Sequence, residues 1–207
     1  MFTNRLQAAS LLVQRLSTYR GKNPLVLAIP RGAVPIAAAI AHELGGELDV
    51  VLVRKLRAPH QDELAIGSVD ESGWTYIAPF AASSGADARY IDAERQRQLE
   101  TIRQRRAAWT PLRAPINPFG RIVIVVDDGL ATGATMISAL HGLRERHPAR
   151  VVCAVPVAPA DAVDKIADMA DEVVCLQVPA NFHAVGQFYI DFPQIDDAQV
   201  AQILRQS

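Results

Sequence analysis

Two adjacent carboxylates, Asp127 and Asp128, close a run of β-branched residues, Ile122-Val123-Ile124-Val125-Val126, and a turn rich in glycine and threonine follows at once: Gly129-Leu130-Ala131-Thr132-Gly133-Ala134-Thr135. The pattern predicts a buried strand running into a helix over 134–146. A helix N-terminus offers unpaired backbone N–H groups and the positive end of the macrodipole. Ala131, Thr132, Gly133, Ala134 and Thr135 are therefore a candidate cradle for a phosphate monoester, with Thr132 and Thr135 adding hydroxyl donors. Gly133 is expected to let the backbone approach the ligand closely. Asp127 and Asp128, set just before the cradle, can accept hydrogen bonds from vicinal hydroxyls, as on a sugar whose phosphate lies in the turn. Neither G-x-x-x-x-G-K-[ST] nor G-x-G-x-x-G occurs in the chain, which disfavours nucleoside triphosphates and dinucleotides. The competing reading is a plain polar turn with Thr132 as a helix cap.

Those residues need a frame. Leu6, Ala9, Leu12, Val13, Leu16 and Tyr19 share one helical face over 3–19. An apolar run over 25–29 ends at Pro30, an alanine-rich helix follows over 34–44, and a second apolar run spans 48–53, which together imply a right-handed parallel crossover. Residues 56–73 mix charge, proline and glycine without a sustained period and are expected to form a long mobile loop, with His60 a solvated loop histidine. A short strand at 74–77 and a charged helix over 90–109 come next, the latter ended by Pro111, Pro115 and Pro118. Further strands are expected at 151–157 and 172–178, and a last helix at 197–205. Near-continuous apolar strands alternating with helices indicate an α/β fold, a parallel sheet between two helical layers. Ligands in such sheets sit beyond the strand carboxyl ends, where the strand order reverses. Pro30-Arg31-Gly32 and Asp127-Asp128 stand at two of those ends.

The bulk numbers bound the answer. With 207 residues, half of them hydrophobic, the chain suits a single domain over 1–207. A formal net charge of -1 gives no global attraction to nucleic acid or to an anionic membrane. Arg95, Arg97, Arg103, Arg105 and Arg106 are interleaved with acids and glutamines, the pattern of a solvated face or dimer surface. No signal-like start and no apolar run near the ~20 residues needed to span a bilayer is present, so a cytoplasmic location is expected. Cys153 and Cys175 lie inside apolar runs and read as small core residues.

The string Val125-Val126-Asp127-Asp128-Gly129-Leu130-Ala131-Thr132-Gly133-Ala134-Thr135 closely resembles the motif with which type I phosphoribosyltransferases bind 5-phosphoribosyl-1-pyrophosphate (PRPP), and further landmarks follow along most of the chain. The resemblance implies the three-layer parallel-sheet fold of that family, with an N-terminal helix, a mobile loop at about 56–73 and a small C-terminal hood at about 179–193. It implies a pyrophosphate-binding loop at Pro30, Arg31 and Gly32, with Arg54 and Lys55 as a flanking basic pair. Asp127 and Asp128 would hold the ribose and Mg2+, directly or through bound water. Arg31, Arg54, Lys55, Asp127 and Asp128 would be the catalytic set, and Phe182, Phe188 and Tyr189 would form the acceptor hood. Phe182, Phe188 and Tyr189 serve equally well as core or dimer contacts, and His183 reads as a satisfied polar residue. Ala131 and Ala134 stand where hypoxanthine-guanine enzymes carry an acid and a lysine, which argues against a 6-oxopurine acceptor. The landmarks Val53-Arg54-Lys55, Glu63-Leu64-Ala65-Ile66-Gly67 and Ala184-Val185-Gly186-Gln187-Phe188-Tyr189 are similar to those of stand-alone family members of unassigned acceptor.

The expected partners are PRPP, a small heterocyclic acceptor and a second copy of the chain in a homodimer, with no membrane and no nucleic acid. Two rival functions stay open: a regulator that senses PRPP or nucleotides with little catalysis, and a ribosyl-phosphate hydrolase or phosphorylase.

Overall fold

A computed structural model describes residues 1–207, the side chains of residues 62 and 63 set aside. In chain order the elements are α1 (Arg5–Arg15), β1 (Leu25–Ala28), α2 (Val34–Leu44), β2 (Glu47–Val50), β3 (Val53–Ala58), β4 (Gln61–Asp70), β5 (Thr75–Ile77), α3 (Ala88–Trp109), β6 (Ile122–Val126), α4 (Ala134–Arg144), β7 (Arg150–Val157), α5 (Ala160–Ala167), β8 (Glu172–Gln177) and α6 (Asp197–Gln206). Five strands form a parallel sheet in the order β2-β1-β6-β7-β8. In β1, Val26 pairs in register with Ile124 of β6, and Leu27 with Val125.

Successive strand residues point to opposite faces, and here both faces are dry. Val26, Ala28, Ile124 and Val126 pack into one core with Leu12, Ile36, Ile40 and Leu204, under α1, α2 and α6. Leu25, Leu27, Val123 and Val125 pack into the other with Met136, Leu140, Ala162 and Ile166, under α4 and α5. Each valine, leucine, isoleucine or methionine among them, fully buried, contributes ~1.5–3 kcal/mol. That double cover explains why the strands read as unbroken apolar runs. No helix is long and apolar enough to cross a membrane among the described residues.

Residues 56–73 are not an irregular loop. Most of the stretch belongs to an antiparallel sheet, β3-β4-β5, in which Arg54 pairs with Val69, Lys55 with Ser68 and Leu56 with Gly67. Register shifts on either side of Arg57 break the two-residue alternation, which hides the strand from a periodicity reading. The apolar run at 48–53 is likewise divided, its first part in β2 of the parallel sheet and Val53 in β3 of the second sheet. Helix α5 is one that periodicity did not announce; it is short, and Ala162 and Ile166 alone among its residues are buried.

On α1 the buried stripe is Arg5, Ala8, Ala9, Leu12 and Val13, while Leu6 is 61% exposed. An arginine therefore occupies the position assigned to the stripe's first leucine. Each of the five arginines of α3 named above has a carboxylate within ion-pair reach: Asp92, Glu94 and Glu100 one helical turn away, Asp197 for Arg105 and Glu71 for Arg106. Cys153 is buried and Cys175 half-buried.

Between β8 and α6 the chain is mostly irregular, with a single 3-10 turn at Val185–Phe188. It is tied down by the chain's other end. Phe2 N–H donates to the Phe188 carbonyl at 2.7 Å, Ile190 N–H to that of Phe2 at 2.8 Å and Asp191 N–H to that of Thr3 at 2.9 Å. Phe2, Ala8, Val157 and Tyr189 form a small separate core beneath this hood.

Candidate functional site

Strands β1 and β6 are neighbours, yet the chain leaves them in opposite directions, toward β2 on one side and β7 on the other. Their carboxyl ends frame the crevice where such sheets bind ligands. One cavity there is lined by Pro30, Arg31 and Gly32 after β1, by Asp127 to Thr132 and Thr135 after β6, by Lys55 of β3 and by Val185 of the hood. The Pro30–Arg31 peptide is cis.

The two carboxylates are set differently. Asp128 Oδ2 accepts from Arg5 Nε at 3.2 Å and Nη2 at 2.9 Å, and the Asp128 backbone carbonyl accepts from the Tyr189 hydroxyl at 2.7 Å. A Cβ on Gly32 would lie 1.9 Å from the same Oδ2, so only glycine lets the loop after β1 pass this carboxylate. Asp127 Oδ1 accepts the Asp128 backbone N–H at 2.9 Å. Burial, and next the Asp128 carboxylate beside it, push the Asp127 carboxyl well above the usual range. Burial also raises Asp128, with the Arg5 guanidinium opposing the rise.

The cradle is the N-terminus of α4, whose first-turn N–H groups have no partner within the helix. Ala131 and Thr132 are exposed and Thr135 is half-buried, whereas Gly133 and Ala134 are buried and offer backbone only. Thr132 Oγ1 lies 3.4 Å from Ala134 N, a weak cap. Gly133 is the N-cap, at φ +78°, and a Cβ there would face Ala162 and Ile166 of α5 at 3.6 to 3.8 Å. Its glycine thus meets the demand of a left-handed backbone.

Adjacent strand residues project oppositely, and this separates the basic pair. Lys55 reaches the cavity; Arg54 instead turns toward α3, where its Nε donates to Gln98 Oε1 at 2.9 Å. Burial and then the guanidiniums of Arg105, Arg57 and Arg31 pull its pKa below the usual value. Arg31 and Arg105 both reach Asp197 Oδ1 of α6, at 3.7 and 3.6 Å. The hood aromatics mostly pack on one another. Phe182 stacks on Phe188 at 5.3 Å, and Tyr189, 5% exposed, stacks on Phe192 at 4.5 Å, so Tyr189 supports the acid pair instead of facing an acceptor. His183 is exposed, and its backbone N–H donates to Gln187 Oε1.

Arg5 and Asp197 are the site neighbours that motif reading passed over, whereas Val185 lies in the hood landmark. Arg5 did leave a signal: extending the stripe of Leu12, Ala9 and Ala8 back by one turn lands on a charge, and a charge on a buried stripe needs a partner.

Comparison with known proteins bears on the family and the fold. The family model described as phosphoribosyl transferase domain matches residues 4–193. Two Mycobacterium tuberculosis proteins carried under the provisional name phosphoribosyl transferase are 42% identical over 205 residues, 99% of this chain and 46% of theirs, so the chain spans about half the length of these curated relatives. An adenine phosphoribosyltransferase of Rhodospirillum centenum is 28% identical over 114 residues, 53% of this chain and 66% of that one. The crystal structure of TT1426 from Thermus thermophilus superimposes with a TM-score of 0.82 at 43% identity, covering 99% of this chain and 98% of that one. With the family model matched across nearly all of its length, the chain belongs to the phosphoribosyl transferase domain family.

Proposed function

We propose that this protein transfers ribose 5-phosphate from PRPP to a nitrogen of a small heterocyclic acceptor, with pyrophosphate leaving from C1. One observation carries the reading: a single crevice holds an anion cradle at the α4 N-terminus, the carboxylates Asp127 and Asp128, and the cations Arg31 and Lys55. A 5-phosphate, a ribose diol and a diphosphate call for those three kinds of group in one place.

In this reading the C1–O bond breaks with its electron pair going to pyrophosphate, and the acceptor nitrogen lone pair forms the new C1–N bond. Arg31 and Lys55 stabilise the charge that develops on the leaving group. The carboxylates hold the ribose hydroxyls and favour a cationic sugar ring. Val185 and the hood shield the reacting carbon from water.

The donor set also fits a magnesium ion. Asp128 already accepts two N–H bonds from Arg5, and no group of three or more candidate metal-ligating side chains is gathered among the described residues. That suits an ion that keeps several waters and takes other oxygens from substrate phosphates. Asp127 and Asp128 would hold it, directly or through water, and it would supply charge neutralisation at the diphosphate.

The test is an acceptor screen with PRPP and Mg2+, read by pyrophosphate release, across purines, pyrimidines and small aromatic amides. Release that depends on one acceptor supports transfer. Release with PRPP alone marks a hydrolase, and tight PRPP binding with no release for any acceptor marks a sensor.

A further inference from the structure

We propose that Arg5 is a positioning residue for the acid pair: from the first turn of α1 it fixes Asp128 and couples it to the hood, so that the sugar-reading carboxylates hold their working geometry only while residues 2–5 and 188–193 are docked together. The proposal rests on the reading of Asp127 and Asp128 as ribose-binding groups.

Arg5 is 7% exposed on an otherwise apolar stripe, where an unpaired charge is costly. All three of its nitrogens are engaged. Nε and Nη2 converge on Asp128 Oδ2, and Nη1 donates to the Pro193 carbonyl at 2.8 Å. The guanidinium carbon sits 3.8 Å from the centroid of the Phe192 ring, a cation–π contact. One planar fork therefore joins three pieces of chain far apart in sequence: the first turn of α1, the end of β6 and the end of the hood. Lysine cannot reproduce that fork, since its ammonium is a point charge on a flexible stem.

Asp128 is confined from three sides. Arg5 holds Oδ2, the Gly32 backbone closes the space beside that oxygen, and the Tyr189 hydroxyl holds the backbone carbonyl. The bonds from residues 2 and 3 to residues 188, 190 and 191 keep the N-terminus in place for this. A ligand that touches the ribose face of the acid pair depends on all of these tethers. A ligand bound only by Arg31 and Lys55 does not.

That difference separates positioning from plain structural glue. Arg5→Gln and Arg5→Lys are titrated by calorimetry, in the presence of Mg2+, with PRPP, ribose 5-phosphate and pyrophosphate, beside thermal melts of each protein. Loss of charged hydrogen bonds predicts roughly 10- to 100-fold weaker binding of PRPP and ribose 5-phosphate by Arg5→Gln. Pyrophosphate is expected to bind within about twofold of the parent, and Arg5→Lys to recover part of the loss. Unchanged PRPP and ribose 5-phosphate affinity in a folded Arg5→Gln protein overturns the proposal, as does a parallel loss for all three ligands. Should Arg5→Gln fail to fold, Arg5→Lys and Tyr189→Phe each loosen one tether of Asp128 and are held to the same ligand pattern. A parent protein that binds no PRPP would instead strike the functional reading itself, and Arg5's role with it.

Discussion

The β6–α4 junction and the hood contribute to the same crevice but are built in opposite ways. The junction is one short stretch of chain. Its strand is hydrogen-bonded to β1 and β7 on either side, and its helix packs along the sheet, so the backbone of the acids and the cradle is set by local geometry, and only the Asp128 carboxylate takes a distant tether, Arg5. The hood is largely irregular chain whose position depends on residues 2–5, nearly 190 positions earlier in the sequence. Under the proposed function the contrast becomes a division of labour: the junction would recognise the sugar phosphate, and the hood, mounted on long-range contacts, would shape what is joined to it.

If that division is right, damage to the junction or to the Arg5 and Tyr189 tethers of Asp128 strikes PRPP, and damage to the hood residues away from those tethers strikes the acceptor. Among single substitutions the largest effect is expected from Gly32→Ala. The new Cβ would lie 1.9 Å from Asp128 Oδ2, and overpacking of ~1–3 kcal/mol at a site that cannot yield predicts PRPP binding weaker by up to about 100-fold. Calorimetry reads this directly, and parent-like affinity would mean that Asp128 is free to move.

Gly133→Val comes next. A β-branched residue at φ +78° strains the backbone by ~1–3 kcal/mol, which should lower the melting temperature and weaken PRPP and ribose 5-phosphate together by roughly tenfold. Pyrophosphate titration is the internal control, expected to match the parent. Equal weakening of pyrophosphate would show that the junction and the Arg31 loop are not separable.

Arg31→Ala should lower kcat by roughly tenfold or more, with a smaller change in ribose 5-phosphate affinity, because its partner is the leaving group. A matched loss in both would place Arg31 against the sugar phosphate. The smallest effect is assigned to the hood. Phe188→Ala, at a half-buried ring stacked on Phe182, is expected to raise the acceptor KM a fewfold, about 1 kcal/mol, while the PRPP KM stays within twofold. A change confined to PRPP would erase the division of labour.

The same contrast explains what could be read from the chain alone. Asp127, Asp128 and the cradle were legible because strand end, acids and helix start are contiguous, and contiguity is what a motif records. The parallel sheet was legible because its central strands β1, β6 and β7 are buried on both faces and almost wholly apolar. Arg5 was not, since its partners Asp128 and Pro193 lie more than a hundred residues away, and a stripe of side chains does not announce a partner. Strand β3 was hidden by its charges Arg54, Lys55 and Arg57, and its pairing with β4 by register shifts around Arg57. The two basic residues Arg54 and Lys55 looked equivalent in sequence, and strand alternation gave them different surroundings. At Gly133 the structure adds a demand that composition does not display, a backbone φ of +78° at the start of α4.

The central claim is that the carboxylates after β6 read the sugar of PRPP. The most direct measurement is calorimetric titration of PRPP with Mg2+ into the parent and into the double variant Asp127→Asn, Asp128→Asn, with circular dichroism confirming that both are folded. Charge-assisted hydrogen bonds of ~1.5–3 kcal/mol at each acid predict a loss of more than about 100-fold; both side chains sit outside the sheet's two cores and the asparagine replacing Asp128 keeps an oxygen for Arg5, so a folded but less stable protein is expected. Unchanged PRPP affinity in the folded double variant would contradict the account.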